Sequence, residues 1–209
     1  MNPRTSLVTV MLVGVTPAAV AQGVSGAGYV ELGEAEEIAL ARSGGPESVS
    51  DDATIWVVRD GKYGIAHNGS NGNHCWVGRT YPKSLEPVCY DSEASKTILR
   101  IEMREFELRT AGKSKEEIDR TIARAIGSGE LRVPSRAAMS YMMSSAQVLF
   151  SPEGRAAGNW KPHLMIYMPY VTHADIGLPG PSPDLQVVNE GKPKAYIVVV
   201  VPEFVDPAR

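Results

Sequence analysis

The stretch that decides the fold runs from Thr54 to His67: Thr-Ile-Trp-Val-Val-Arg59, then Asp60-Gly61, then Lys62-Tyr-Gly-Ile-Ala-His67. The first six residues are β-branched, aromatic or extended-chain formers, as strands favour. Asp-Gly supplies the two positive-φ positions that a two-residue hairpin turn demands. An antiparallel hairpin is therefore expected, with strands at Thr54–Arg59 and Lys62–His67. A second turn, Asn68-Gly69-Ser70-Asn71-Gly72-Asn73, leads into His74–Arg79, and the simplest reading is a three-stranded antiparallel meander.

Working outward, Leu32–Ser43 reads as a short helix with glutamates in its first turn and Gly44-Gly45 at its end. Asp91 or Ser92 can cap a helix over Glu93–Thr110, with Ile98, Leu99, Ile101, Met103, Phe106 and Leu108 inward. Ser114 and Glu117 have capping-box spacing, so a second helix is expected from there to about Ile126, with Ile118, Ile122, Ala125 and Ile126 inward. The charges between these apolar positions read as a solvated face. Extended segments return at Ala138–Ser144, Gln147–Phe150, His163–Met168 and Ala195–Val201. The run Ile197–Val201 is apolar at every position and predicts a central strand covered on both faces. Gly177–Pro183 reads as a loop. The fold class that follows is α+β: a mainly antiparallel sheet with two or three packed helices, in a single domain spanning 32–209.

The first residues have the three zones of a cleavable signal peptide: Arg4 in a polar start, the apolar run Leu7–Val15, and Ala19-Val20-Ala21 before the expected cut between Ala21 and Gln22. Nine helical residues span roughly 14 Å, about half of a bilayer's hydrocarbon core, so a membrane anchor is not expected. Residues 22–31 read as a flexible N-terminal segment. Arg4 is the only charged side chain in 1–21, so its loss moves the formal charge from -3 to -4. That mild acidity argues against nucleic acid as a partner. The mature chain contains no apolar stretch long enough to span a membrane. The expected location is the periplasm or the exterior.

Export gives the two cysteines a meaning. Cys75 and Cys89 stand 14 positions apart in an oxidising compartment, which reads as one disulfide. In the chain-entropy description, closing such a loop contributes about 3 kcal/mol. The competing reading is a nucleophilic thiol with His74 or His67 as base.

The segments Cys75–Asp91, with its Glu86-Pro87-Val88-Cys89-Tyr90-Asp91, and His163–Asp175 resemble exported bacterial proteins without assigned function. The resemblance implies a bacterial envelope setting and carries over no catalytic residue.

Nucleophile-elbow, Ser-x-x-Lys, zinc-protease, Cys-x-x-Cys and phosphate-loop patterns are absent, so no cofactor or metal site is read from motifs. That does not exclude an enzyme, because triads assemble in space. The methionines Met139, Met142, Met143, Met165 and Met168 read as core filler. The expected function is an exported, non-enzymatic module binding a small ligand or a cell-envelope protein. Two alternatives stand beside it. One is a small hydrolase using His173 and Asp175, with Ser144 or Ser145; whether His163 shares a pocket with His173 and Asp175 is not decided by the sequence. The other is a metal carrier using His67 and His74.

Overall fold

The computed structural model describes residues 23–24 and 28–207; the expected signal segment and its cleavage point at Ala21 and Gln22 lie outside the described residues. In chain order the elements are β1 (Gly23–Val24), β2 (Val30–Glu31), α1 (Glu34–Arg42), α2 (Glu47–Ser50), β3 (Thr54–Arg59), β4 (Lys62–His67), β5 (His74–Gly78) and β6 (Glu86–Tyr90). There follow α3 (Ser92–Lys96), α4 (Ile98–Thr110), α5 (Lys115–Gly127), β7 (Ala138–Met142), β8 (Leu149–Phe150), β9 (Ala156–Gly158), β10 (His163–Tyr167), β11 (Leu185–Val188) and β12 (Tyr196–Val200). One eight-stranded sheet, ordered β11-β12-β10-β7-β6-β5-β3-β4, carries the domain. The fold is α+β and mainly antiparallel, as expected.

The hairpin forms as read, with Asp60 and Gly61 both at positive φ. The meander does not. β5 crosses over and pairs with β3 on its other side, in parallel register, Thr54 against His74 and Ile55 against Cys75. The crossing loop lies on the backbone that opens β3. A Cβ on Gly69 would stand 2.2 Å from the Asp52 carbonyl oxygen, so only glycine passes there. The amides of Asn71 and Asn73 both donate to the Val49 carbonyl and hold the crossover down. The Asn/Gly run is thus a bridge across a strand, and turn chemistry alone does not reveal which neighbour a strand will choose.

The single helix expected over Glu93–Thr110 is two. Asp91 caps α3, accepting from the Glu93 and Ala94 amides, and also ties it to the sheet through the Met139 amide. Thr97 interrupts the helix at φ -123°, its hydroxyl donating to the Glu93 carbonyl one turn back. The capping box at Ser114 and Glu117 is present at the start of α5.

Strand alternation sorts the sheet's two faces. Ile55, Val57, Cys75, Val77 and Cys89 point toward α1 with Leu40 and Ala41. Trp76, Val88, Tyr90, Ala138, Met142, Met165 and Tyr167 point toward α3, α4 and α5, where Ile98, Leu99, Ile101, Ile118 and Ile122 meet them. Cys75 and Cys89 sit directly opposite on β5 and β6 and are bonded. The strand at Ile197 is not central: β12 is second from the edge, and Val198, Val199 and Val200 are only half-buried. On one side of it, Val171, Ile176 and Val187 form a small satellite core with Ile197. The C-terminal end of the expected flexible segment is also held. Tyr29 is buried against Phe106, and the Val30 amide donates to the Pro82 carbonyl.

Candidate functional site

Five adjacent strands, β5, β6, β7, β10 and β12, turn Trp76, Glu86, Tyr90, Met142, Met165, Tyr167 and Tyr196 to the same face, because residues two apart share a side of a strand. Helix α4 lies over them. Its Glu102, Glu105 and Arg109 are spaced by three and four and so fall on one stripe, which lines the same space as the strand side chains. Helix and sheet enclose a cavity of about 220 Å³. It adjoins a groove of about 660 Å³ bounded by α4, α5 and the segment Asn189–Lys194, with Thr80, Glu105 and Arg109 belonging to both.

The charges in this cavity are unusual for a core. Burial pushes Glu102 up to about 7, against the pull of a 2.5 Å hydrogen bond donated by the Tyr90 hydroxyl and of the Lys194 ammonium; Glu105 and Glu86 push it further up. Glu86 is also raised by burial, although it accepts from the Thr80 hydroxyl at 2.8 Å and from the Thr80 amide. Tyr90 and Tyr167 are raised well above the ordinary phenol range, first by burial and then by the Glu102 charge, and Tyr196 rises to about 12 for the same reasons. Glu105 is the satisfied member, with an ammonium contact from Lys194 and the Arg109 guanidinium 3.9 Å away.

Three donors on residues of the cavity wall lack acceptors. Trp76 is 2% exposed and its Nε1 has no hydrogen-bond partner; the same holds for the buried Nε of Arg109 and Nη2 of Arg79. The indole N–H faces the Tyr90 hydroxyl and lowers that group's pKa, but no acceptor meets it at hydrogen-bond geometry. A buried donor left unmet costs about 1–3 kcal/mol. The cavity therefore offers two desolvated carboxylates, aromatic walls and three donors without acceptors.

The hydrolase residues are not brought together. His173 uses both ring nitrogens structurally: Nε2 accepts from the Val187 amide at 3.0 Å, so the proton sits on Nδ1, which donates to Glu190 Oε2 at 3.1 Å. Asp175 does not meet it. Asp175 is exposed, and the Thr172 amide and hydroxyl, both at 2.8 Å, hold its carboxyl below the usual range. Ser144 bonds to Ser43, and Ser145 to Asp206. In the antiparallel pairing of β7 with β10, Met142 faces His163 and Ala138 faces Tyr167. Ser144 and Ser145 thus follow one end of this strand pair, whereas His173 follows the other. His163 is buried, its pKa lowered by desolvation, with Nδ1 2.8 Å from the Lys161 carbonyl.

His67 and His74 stand on β4 and β5, which flank β3, so two strand spacings of roughly 4.8 Å separate their backbones. His74 Nδ1 accepts from the Trp56 indole at 3.1 Å. Among the described residues no group of three or more His, Cys, Asp or Glu is placed to hold a metal ion. Of the methionines, Met142 and Met165 line the cavity.

The cavity residues had a sequence signature that motif reading passes over. Glu86 lies in period-two register with Val88 and Tyr90, a carboxylate on the core face of a strand. Glu102, Glu105 and Arg109 form a charged stripe on a helix whose apolar residues already point inward; they are not the solvated face expected of them. No protein-family model, curated protein or solved structure matches this chain.

Proposed function

We propose that this chain is a non-enzymatic ligand-binding module of the bacterial cell envelope, and that the ligand sits in the cavity beneath α4. The observation that carries the reading is the Trp76 indole N–H, buried in the wall of a cavity and without an acceptor. A ligand acceptor atom there removes the cost of leaving that buried donor unmet. The bonded cysteine pair and the Leu7–Val15 run before Ala21 support an exported setting.

The three tryptophans give the experiment its readout. In a ¹⁵N-labelled sample, the Trp76 indole signal responds to cavity ligands, while Trp56, already donating to His74, serves as the internal control. Screened against a library of small metabolites, the Trp76 signal is expected to shift with the Trp56 signal fixed. If no compound moves the Trp76 signal at millimolar concentration, the cavity is not a ligand site and the reading falls.

A further inference from the structure

We infer that the ligand of this cavity is a small zwitterionic amine, an amino acid or a close relative, whose ammonium meets Glu86 and Glu102 and whose carboxylate meets the Trp76 and Arg109 donors. The inference rests on the ligand-binding reading above and names the chemistry that the site selects.

Size comes first. A volume of about 220 Å³ holds about seven waters at the liquid's roughly 30 Å³ each, so it suits a ligand of roughly seven to ten non-hydrogen atoms. The second constraint is the pairing of charges already present. Arg79 is committed to Glu37 at 3.0 Å, and Lys194 to Glu105. The hydrogen-bond donors to Glu86 and Glu102 are neutral, Thr80 with Ser84 and Tyr90, while Arg109 and Lys194 act on them only through space. Two desolvated carboxylates without a dedicated cation favour a cationic guest. Tyr90, Tyr167, Tyr196 and Trp76 line the same space, and aromatic rings attract the same kind of group through their quadrupoles.

A simple cation would leave the other half of the site unmet. Trp76 Nε1, Arg109 Nε and the Nη2 that Arg79 does not use toward Glu37 are buried donors needing an acceptor, and two of them belong to guanidiniums. A carboxylate on the guest supplies acceptors with the matching charge. Anion alone would set a negative charge beside Glu86 and Glu102. Only a guest carrying both groups satisfies both sets.

Ionisation adds a signature. Glu102 faces Glu86 and Tyr90 from β6, Glu105 and Arg109 from its own helix, Tyr167 from β10, and Tyr196 with Lys194 from β12 and the loop before it. In this surrounding its carboxyl titrates at about 7, so a bound ammonium requires loss of a proton below that pH. Affinity should then fall by up to about tenfold per pH unit below 7 and level off above it.

The test uses molecules of one carbon skeleton: 4-aminobutyrate and 2-aminobutyrate against butylamine and butyrate, followed by calorimetry and by the Trp76 indole signal at pH 8. At least one aminobutyrate should bind tenfold or more tightly than either single-charge compound. Glu102→Gln, which keeps shape and fold as checked by circular dichroism, should weaken it tenfold or more and abolish the pH dependence. Equal binding of butyrate or of butylamine overturns the zwitterion assignment. Silence from all four, with another chemical class shifting Trp76, overturns it too but leaves the binding module standing. Silence from every class removes both.

Discussion

Glu37 and Glu102 are two glutamates that burial pushes above the ordinary carboxylate range, and the protein treats them in opposite ways. Glu37, on α1, is fully buried, and its Oε2, 3.9 Å from Arg59 Nη1, accepts no hydrogen bond. Its Oε1 takes the Val58 amide at 3.1 Å and lies 3.0 Å from Arg79 Nη1. That guanidinium also donates to the Val77 and Val30 carbonyls, each at 2.7 Å, and to the Tyr63 hydroxyl. The cluster ties α1, β2, β4 and β5 together. Glu102, on α4, has one tyrosine and a cavity. The difference lies in the partner: Glu37 is paired with a buried guanidinium, whereas Glu102 meets a neutral phenol beside a cavity.

The Glu37–Arg79 pair should be the harder to break. Arg79→Met removes the cation while leaving Glu37 buried, and losing one partner of a buried pair costs roughly 3–5 kcal/mol. In a domain of this size each kcal/mol lowers Tm by about 2–4 °C, so a fall of about 10 °C is expected in thermal denaturation. A change within 2 °C would show that Glu37 and Arg79 are no anchor and that the contrast with Glu102 is false.

Glu102→Gln should act with the opposite sign. The folded value of Glu102, about 7, lies above its ordinary 4.5. The protonated form therefore favours folding. Its contribution is fully present below about pH 4.5 and is lost as pH rises through 7. Because the side chain is only half-buried, the loss is discounted to about 2 kcal/mol. Glutamine is spared it, so at pH 8 the variant should be the more stable protein in urea titrations, with the gap closing by pH 5. A variant that is less stable at pH 8 would mean that Glu102 is a structural anchor like Glu37.

The contrast also explains what could be read without coordinates. The Asp60-Gly61 hairpin, the Ser114–Glu117 cap and the Cys75–Cys89 bond are decided by residues close in sequence, and each appears as expected. The parallel pairing of β3 with β5 is decided by Gly69 fitting against Asp52, a contact that no local pattern announces. The break at Thr97 goes with its hydroxyl turning back to the Glu93 carbonyl, while Asp91 fastens α3 to β7. The cavity assembles from five strands and a helix, so Glu86 and Glu102 become neighbours only in space. His173 drew attention because a histidine near an aspartate suggests catalysis, but its partners are Glu190 and a backbone amide.

Glycine gives the smallest and most local probe of the same contrast. On the α1 side, a Cβ at Gly44 would stand 2.7 Å from Val88 Cα, against backbone that cannot yield. On the cavity side, a Cβ at Gly78 would stand 3.3 Å from the Glu86 carbonyl oxygen and 3.6 Å from Glu86 Cβ. A shift of a few tenths of an ångström in Glu86 accommodates it, since Gly78 and Glu86 border open volume. Gly78→Ala should therefore change stability by less than about 1 kcal/mol, as small overpacking with room to relax does. The same shift moves a carboxylate that the ligand must meet, so aminobutyrate affinity should drop severalfold while the melting curve stays nearly in place. A large loss of stability with unchanged affinity would place Gly78 in the packed class with Gly44, and would show that the cavity wall is as tightly finished as the opposite face.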